Sequence, residues 1–562
     1  MEYLVFLVAI VAFILFLFIR ESLRTRKEEK RFKQFLYEQY GTLPNREMKP
    51  ERFARVNSYY ERHKKEGHLD DITWNDLNMD EVFHKMNYCY SATGEEYLYY
   101  TLRNTMNSPE ELEHLEECIT FFREHPDERV RVQLLMNKMG FTGKYSIYDY
   151  LDHLDFLGKR SNRMAILRDL LFIPLVAMLF VKTSVAIMGI IILMIYNIMV
   201  YLKEKKIIEP YIISIAYVLR LIQTCEGINT LNLPCLQSEQ DNMKKILPEF
   251  REMKFSLGIV MWQNSGNPLD ALLDYVRMTF HFDIILFNRL FHMVQKHVSD
   301  IDTLIGFMGY VETTIAIGAL RHSMSEGYCV PVLSDTHTKD AAKKVLTMEN
   351  GYHLFLQRPV KNSITADKGV LLTGSNASGK STFLRTVALN AVLAQTVHTC
   401  AADSYTAPLY RIYSSMSLKD DMEHGESYYM VEIKSLKRIL DVAGNGDMPV
   451  LCFVDEVLRG TNTVERIAAS TQILKSLTGN YITCFAATHD IELTTLLEKE
   501  YHNYHFEEDV KDGDVLFDYR LLPGRATTRN AIKLLEIMGY EQQIIREATG
   551  LAAHFIQEGK WN

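Results

Sequence analysis

The stretch GVLLTGSNASGKST, Gly369–Thr382, decides how the rest of this chain is read. An apolar run, Val370 to Thr373, leads into Gly374-x4-Gly379-Lys380-Ser381, and Phe383, Leu384 and Val387 follow at helical spacing. Strand, glycine loop and helix in that order make a phosphate-binding loop. The glycines let successive backbone N–H groups converge on phosphate oxygens, and the helix N-terminus adds positive potential. The candidate binding residues are Gly374, Ser375, Asn376, Ala377, Ser378, Gly379, Lys380, Ser381 and Thr382. Lys380 is expected to reach the β- and γ-phosphates of a nucleoside triphosphate, and Ser381 to offer its hydroxyl to Mg²⁺.

Two further strand ends belong with this loop. PVLCFVDEV (Pro449–Val457) reads as a buried strand closing on Asp455-Glu456. Asp455 is expected to hold Mg²⁺, and Glu456 to orient or deprotonate the attacking water. A third strand, Tyr481–Thr488, ends in His489, a candidate γ-phosphate sensor. From about residue 331 to 562, short apolar runs alternate with amphipathic helices, which predicts an α/β unit with a largely parallel sheet. Upstream, residues 71–163 and 203–330 carry Leu, Phe and Tyr at three- and four-residue spacing, as in EEYLYYTLRNTM, and read as one all-α domain in two parts.

What separates those parts is apolar. Leu170–Val181, a polar break at Lys182-Thr183-Ser184, and Val185–Leu202 read as a transmembrane hairpin over residues 164–202. Lys159, Arg160, Arg163 and Arg168 before it, with Lys203, Lys205 and Lys206 after it, place both ends in the cytoplasm. An apolar helical pair inside a large core is the other reading. Tyr3–Ile19 is a further run of seventeen apolar residues, followed by a basic segment from Arg20 to Lys33. It reads as an uncleaved anchor over residues 1–20, with residues 21–70 a basic juxtamembrane linker suited to anionic lipid. The expected topology is three spans in the cell membrane with the nucleotide-binding domain cytoplasmic. Composition narrows the rest. At 562 residues, 47% hydrophobic, 24% charged and net −9, the chain is neither disordered nor a global polycation. Eight cysteines without a CxxC pair argue against a disulfide scaffold or a zinc module.

Six segments taken together resemble the MutS family, the ABC-type ATPases of DNA mismatch repair. They are TGSNASGKST, DDMEHGESYYMVEI (Asp420–Ile433), DEVLRGTNT (Asp455–Thr463), ATHD (Ala487–Asp490), LLPGRATTRNAIKLLEIMGY (Leu521–Tyr540) and SATGEEYLYYTLR (Ser91–Arg103). The resemblance implies an α/β ABC-type P-loop ATPase domain preceded by an all-α core/lever domain. It further implies ATP and Mg²⁺ as ligands, hydrolysis to ADP and phosphate, and a homodimer with composite sites. Ser427 matches the serine that contacts the γ-phosphate held by the partner subunit. Departures are also visible. Few residues separate the first apolar run from the helical core, which leaves no room there for the family's mismatch-reading domain. The hairpin stands where the family inserts its DNA clamp. In RPVKNSI (Arg358–Ile364), the aromatic that usually stacks on adenine falls near Pro359–Val360. Two functions are therefore expected as alternatives. One is a membrane-anchored, ATP-dependent DNA-binding switch related to mismatch repair or damage sensing. The other is a membrane ATPase that has lost DNA binding and acts on a protein partner or an envelope process.

Overall fold

In the computed structural model of the chain, the described residues are 2–562 apart from 45–47, 159, 257–267, 335–344, 376–377, 417–427, 444–447, 459–460, 480, 512–513, 527–531, 533–534, 537 and 559–562. They divide into two units. Residues 1–63, 86–100 and 117–322 form one, and residues 64–85, 101–116 and 323–562 form the other. The linear reading did not anticipate that residues 64–85 and 101–116 pack with the C-terminal domain.

The first unit is helical. Its centre is the helix Val298–Ser323, buried along most of its length. The SATGEE segment folds onto it for a local reason. Glu312 accepts hydrogen bonds from Tyr90 N and Ser91 Oγ, and Ser91 Oγ accepts from Gly94 N at 3.0 Å. Ser91 thus caps the helix Ala92–Arg103 while the Glu312 carboxylate sits at its positive end. Gly94 has no side chain because a Cβ there would lie 2.0 Å from Glu312 Oε2.

The hairpin forms as a turn between helices, but its arms differ from the expectation. The first arm is two short helices, Arg163–Leu170 and Phe172–Met178. At the polar break, Lys182 N donates to Met178 O at 2.9 Å and Thr183 Oγ1 donates to Leu179 O at 3.0 Å. The second arm does not stop at Leu202. It runs unbroken from Thr183 to Asn229, 47 residues, through the basic run and Pro210. Lys203 to Lys206 are good helix formers, so they mark a change of surroundings and not a break in the backbone. Among the described residues, two helices are long and apolar enough to cross a membrane, Thr183–Asn229 and Val298–Ser323. Three spans are therefore not supported. Glu2–Gln39 is one continuous helix, but most side chains of its Tyr3–Ile19 run lie outside the described residues.

Among the described residues, the second unit holds twelve strands: β1 (Val332–Ser334), β2 (Leu346–Gly351), β3 (Asn362–Ala366), β4 (Gly369–Thr373), β5 (Ser404–Pro408), β6 (Arg411–Ser415), β7 (Val450–Asp455), β8 (Ile482–Ala487), β9 (Tyr501–His505), β10 (Glu508–Lys511), β11 (Asp514–Phe517) and β12 (Leu522–Pro523). Six make the main sheet, in the order β12-β9-β4-β8-β7-β6, parallel except for β12. A four-stranded sheet, β1-β5-β2-β3, and the β10-β11 hairpin complete the unit. β4 is buried along its whole length, as its unbroken apolar sequence requires of a central parallel strand.

Candidate functional site

Register brings the three predicted strand ends together. Leu372 of β4 and Asp455 of β7 both pair with Ala487 of β8, so Thr373, Asp455 and Ala487 finish at one level. The connections that leave this edge are the phosphate loop, the Glu456 turn and Thr488-His489. Three cross-links lock the level: Thr488 N to Leu372 O at 3.0 Å, Glu456 N to Ala487 O at 2.9 Å, and Phe506 N to Thr373 O at 3.0 Å.

The loop itself needs its glycines. Gly374 has φ 145° and Gly379 has φ 108°, a region that L side chains rarely adopt. A Cβ on Gly374 would lie 2.8 Å from Phe506 O, and one on Gly379 would lie 3.2 Å from a Tyr519 ring carbon. The helix Lys380–Thr396 starts directly at Lys380. Lys380 Nζ donates to Gly374 O at 2.8 Å and Ser375 O at 2.7 Å, and lies 3.5 Å from His489 Nε2. His489 Nε2 is 3.0 Å from Glu456 Oε1. Lysine, histidine and glutamate therefore form one contiguous chain of polar contacts, which the separate motifs did not specify. Asn376 and Ala377 lie outside the described residues, as does Ser427.

A cavity of about 490 Å³ opens over the loop, lined among others by Lys380, Ser381, Thr382 and Glu456. Asp455 Oδ1 is buried beside this edge without a hydrogen-bond partner, and so is Ser378 Oγ within the loop. A buried carboxylate oxygen left in this condition fits a cation ligand, and together with the Ser381 hydroxyl it offers the hard oxygen donors Mg²⁺ prefers. The residues present thus fit a magnesium-bound nucleoside triphosphate.

Several features or their contacts escaped the sequence reading. Arg466, on the helix Thr463–Ser476, grips Asp490 with Nε–Oδ2 at 2.9 Å and Nη2–Oδ1 at 2.7 Å, which fixes the residue next to His489. Glu508, at the start of β10, accepts the Ser375 hydroxyl. Tyr519 supplies an aromatic ring at the cavity wall, stacked on Phe517 at 5.8 Å between ring centres. Asn362 holds the Tyr519 turn from the pre-loop side: its Nδ2 donates to Tyr519 O at 3.0 Å and its Oδ1 accepts from Leu521 N at 2.8 Å. Another is His353, whose pKa is pushed down to about 4 by burial, with Arg385 and Lys85 nearby pushing the same way. It presents a neutral ring to the cavity at neutral pH. Asp490 and Asn362 were in quoted motifs, but their partners lie 24 and 157 residues away, and no local spacing announces them.

Residues 370–556 match MutS domain V. The chain is similar to the DNA mismatch repair protein MutS of Lactobacillus delbrueckii subsp. bulgaricus, 29% identical over 287 residues, which is 49% of this chain and 32% of the relative. For the DNA mismatch repair protein MutS of Thermus thermophilus the identity is 24% over 351 residues, 62% of this chain and 38% of the relative. For DNA mismatch repair protein MutS 2 of Haloarcula marismortui it is 33% over 187 residues, 33% of this chain and 19% of the relative. The chain thus spans between 19% and 38% of the length of these relatives. The similarity to MutS proteins is thus carried by residues 370–556, the span that matches MutS domain V.

Proposed function

We propose that the protein is a MutS-like ATPase anchored in a membrane, a homodimer whose ATP state changes its grip on DNA. The observation that carries this reading is the shared level of the β4, β7 and β8 ends. It gathers Lys380, Asp455, Glu456 and His489 at one sheet edge, with Lys380 and Glu456 lining the cavity, within residues that match MutS domain V. Magnesium-bound ATP, when present, supplies the electrophilic γ-phosphate and neutralises the charge that builds on its oxygens. Lys380 exchanges its loop carbonyls for phosphate oxygens. Ser381 and Asp455 hold the metal. Glu456 takes a proton from the attacking water, and His489 keeps the Glu456 carboxylate turned toward it. Tyr519 offers the face on which adenine stacks, in place of the aromatic missing at Pro359–Val360. Ser427 completes the partner's site.

The membrane part rests on the second hairpin arm. Its apolar side chains, Val185, Met188, Ile191, Ile192, Ile195 and Met199 among them, are exposed in the chain by itself, as is Phe180 at the turn. The DNA part comes from the relatives, whose names describe DNA mismatch repair.

Full-length protein in detergent tests both parts. Lys380→Ala is expected to abolish nucleotide binding, whereas Glu456→Gln keeps it and slows hydrolysis by about a hundredfold or more. Duplex DNA binding is expected to weaken steeply as salt rises, because phosphate contacts release counterions. An intact ATPase with no DNA binding at low salt would overturn the DNA reading in favour of a protein partner.

A further inference from the structure

The turn that carries Glu456 is strained. Glu456 has φ 58° and Leu458 has φ 59°. For a bulky side chain such as leucine, a left-handed backbone is a genuine outlier, and such residues persist only where their surroundings hold them. Three contacts do the holding. Glu456 N donates to Ala487 O at 2.9 Å, Ser470 Oγ donates to Val457 O at 3.3 Å, and Leu458 N donates to the carboxylate of Glu432. The first two are a strand pairing and a long hydroxyl contact. The third is a buried charged acceptor brought from another element.

Glu432 lies on the helix Tyr428–Ala443 and is 3% exposed. That helix is fixed at its other half. Arg438 donates from Nη1 to Asp70 Oδ2 and from Nη2 to Ser414 O, both at 2.6 Å. Between these points Leu436 and Ile439 pack in the same cluster as Val457 and Leu458. The helix is therefore firmly placed, and a Glu432 carboxylate oxygen accepts from the backbone N–H two residues beyond Glu456. A buried carboxylate is costly, and the amide at Leu458 would be satisfied by any acceptor. Of the three contacts, the Glu432 carboxylate oxygen is the acceptor that reaches the amide of Leu458 itself, the left-handed residue.

We infer that Glu432 is a positioning residue for hydrolysis: by holding Leu458 N it fixes the left-handed turn that points Glu456 at His489 and into the cavity. The inference rests on the reading of Glu456 as the group that orients the attacking water. Without Glu432, Leu458 relaxes toward ordinary backbone angles and the Glu456 carboxylate turns away. Nucleotide binding depends on the phosphate loop and is untouched. A purely structural Glu432, satisfying a buried amide and no more, would lower stability without separating binding from turnover.

The test uses full-length protein in detergent, with ATP turnover, binding of a fluorescent ATP analogue and the thermal midpoint as readouts. Glu432→Ala is expected to lower kcat by about ten- to a hundredfold, the usual cost of a misplaced reacting group, with analogue affinity unchanged. Glu432→Gln keeps an acceptor oxygen at the same reach and is expected to restore most of the rate. If Glu432→Ala does not fold, Glu432→Asp, one methylene short, stands in for it with the same expectations. In a Glu456→Gln background the further loss from Glu432→Ala should vanish, since the group it positions is already gone. A full second loss there, or equal loss of affinity and kcat, overturns the inference. Wild-type turnover in Glu432→Ala beside a slow Glu456→Gln overturns it too, and leaves the reading of Glu456 standing. Wild-type turnover in Glu456→Gln overturns that reading and the inference with it.

Discussion

Two helices of the first unit pass the same test of length and apolarity and have opposite surroundings. Thr183–Asn229, the more apolar of the two, is 17% buried along its most apolar stretch, whereas that of Val298–Ser323 is 83% buried. The less apolar helix is the one in the core. Composition explains the inversion. Val298–Ser323 carries Gly306, Gly309 and Gly318, where neighbouring tyrosines approach too closely for a side chain, and it carries Glu312, whose partners are backbone and hydroxyl donors. The hairpin arm from Val185 to Leu202 is almost all large aliphatics, with a single buried amide, Asn197, bonded to Asp169 and Thr279 O. A core helix is recognised by small residues and satisfied polar groups, and not by hydropathy.

The sharpest way to break this comparison is one charge in each helix. Ile317→Asp places a carboxylate at a fully buried position and is expected to cost at least about 4 kcal/mol, leaving little folded protein. Ile192→Asp, at an exposed position, is expected to leave the ATPase folded and active while the protein shifts from the membrane pellet to the soluble fraction. Circular dichroism and flotation with lipid vesicles read the two outcomes. Equal unfolding of both variants would mean the arm is covered by protein, and the membrane reading would fail.

Glu312→Ala comes next. It leaves Tyr90 N and the Ser91 hydroxyl buried without their acceptor, and it takes the carboxylate away from the positive end of the helix Ala92–Arg103. The expected loss is about 3 kcal/mol by denaturant titration. A loss below about 1 kcal/mol would show that the carboxylate is incidental to the core.

These contacts also show where sequence reading stops. The phosphate loop, Asp455 and His489 were legible because each ends an apolar strand, and strand ends at one sheet edge converge without further information. Arg466, Glu432 and Tyr519 were not, since each acts through a partner far along the chain. The helical character of residues 64–85 was legible, but their membership of the second unit was not. Ser414 Oγ donates to Asp76 Oδ2 at 2.6 Å and Met416 N donates to the same oxygen at 2.9 Å, contacts that span more than three hundred positions. The arm's continuation to Asn229 was missed for a different reason. A basic run was read as the end of a helix, when it signals only the end of an apolar environment.

The same core contains a carboxyl that behaves oppositely to a well-served one. Glu96 is fully buried, and burial pushes its pKa from 4.5 up to about 8, although the Ser146 hydroxyl at 2.9 Å and Arg52 oppose the shift. A raised carboxyl pKa means that the fold prefers the neutral form. Its contribution is whole below about pH 4.5 and is lost as pH rises toward about 8. The thermal midpoint of the wild type is expected to fall over that window, and that of Glu96→Gln to fall less. Parallel profiles in the two proteins would remove Glu96 from the account.

The smallest effect is the most diagnostic of the two environments. A Cβ on Gly309 would lie 2.2 Å from Tyr97 Cβ, an atom fixed to its own backbone that no rotamer change can move. Gly309→Ala is therefore an overpacking mutation and is expected to destabilise the chain by about 1–3 kcal/mol. On Gly189 of the hairpin arm, a Cβ would lie 2.8 Å from Leu175 Cδ2, the far tip of a flexible side chain. Leu175 can turn aside, and replacing a mid-helix glycine by alanine gains about 0.5–1 kcal/mol of helix propensity. Gly189→Ala is thus expected to be neutral or slightly stabilising. The two midpoints, measured in one detergent, compare like with like because both substitutions add a single methyl to an apolar helix. If Gly189→Ala proved as damaging as Gly309→Ala, the arms would be packed as tightly as the core, and the difference between the two helices would lie in exposure alone and not in packing.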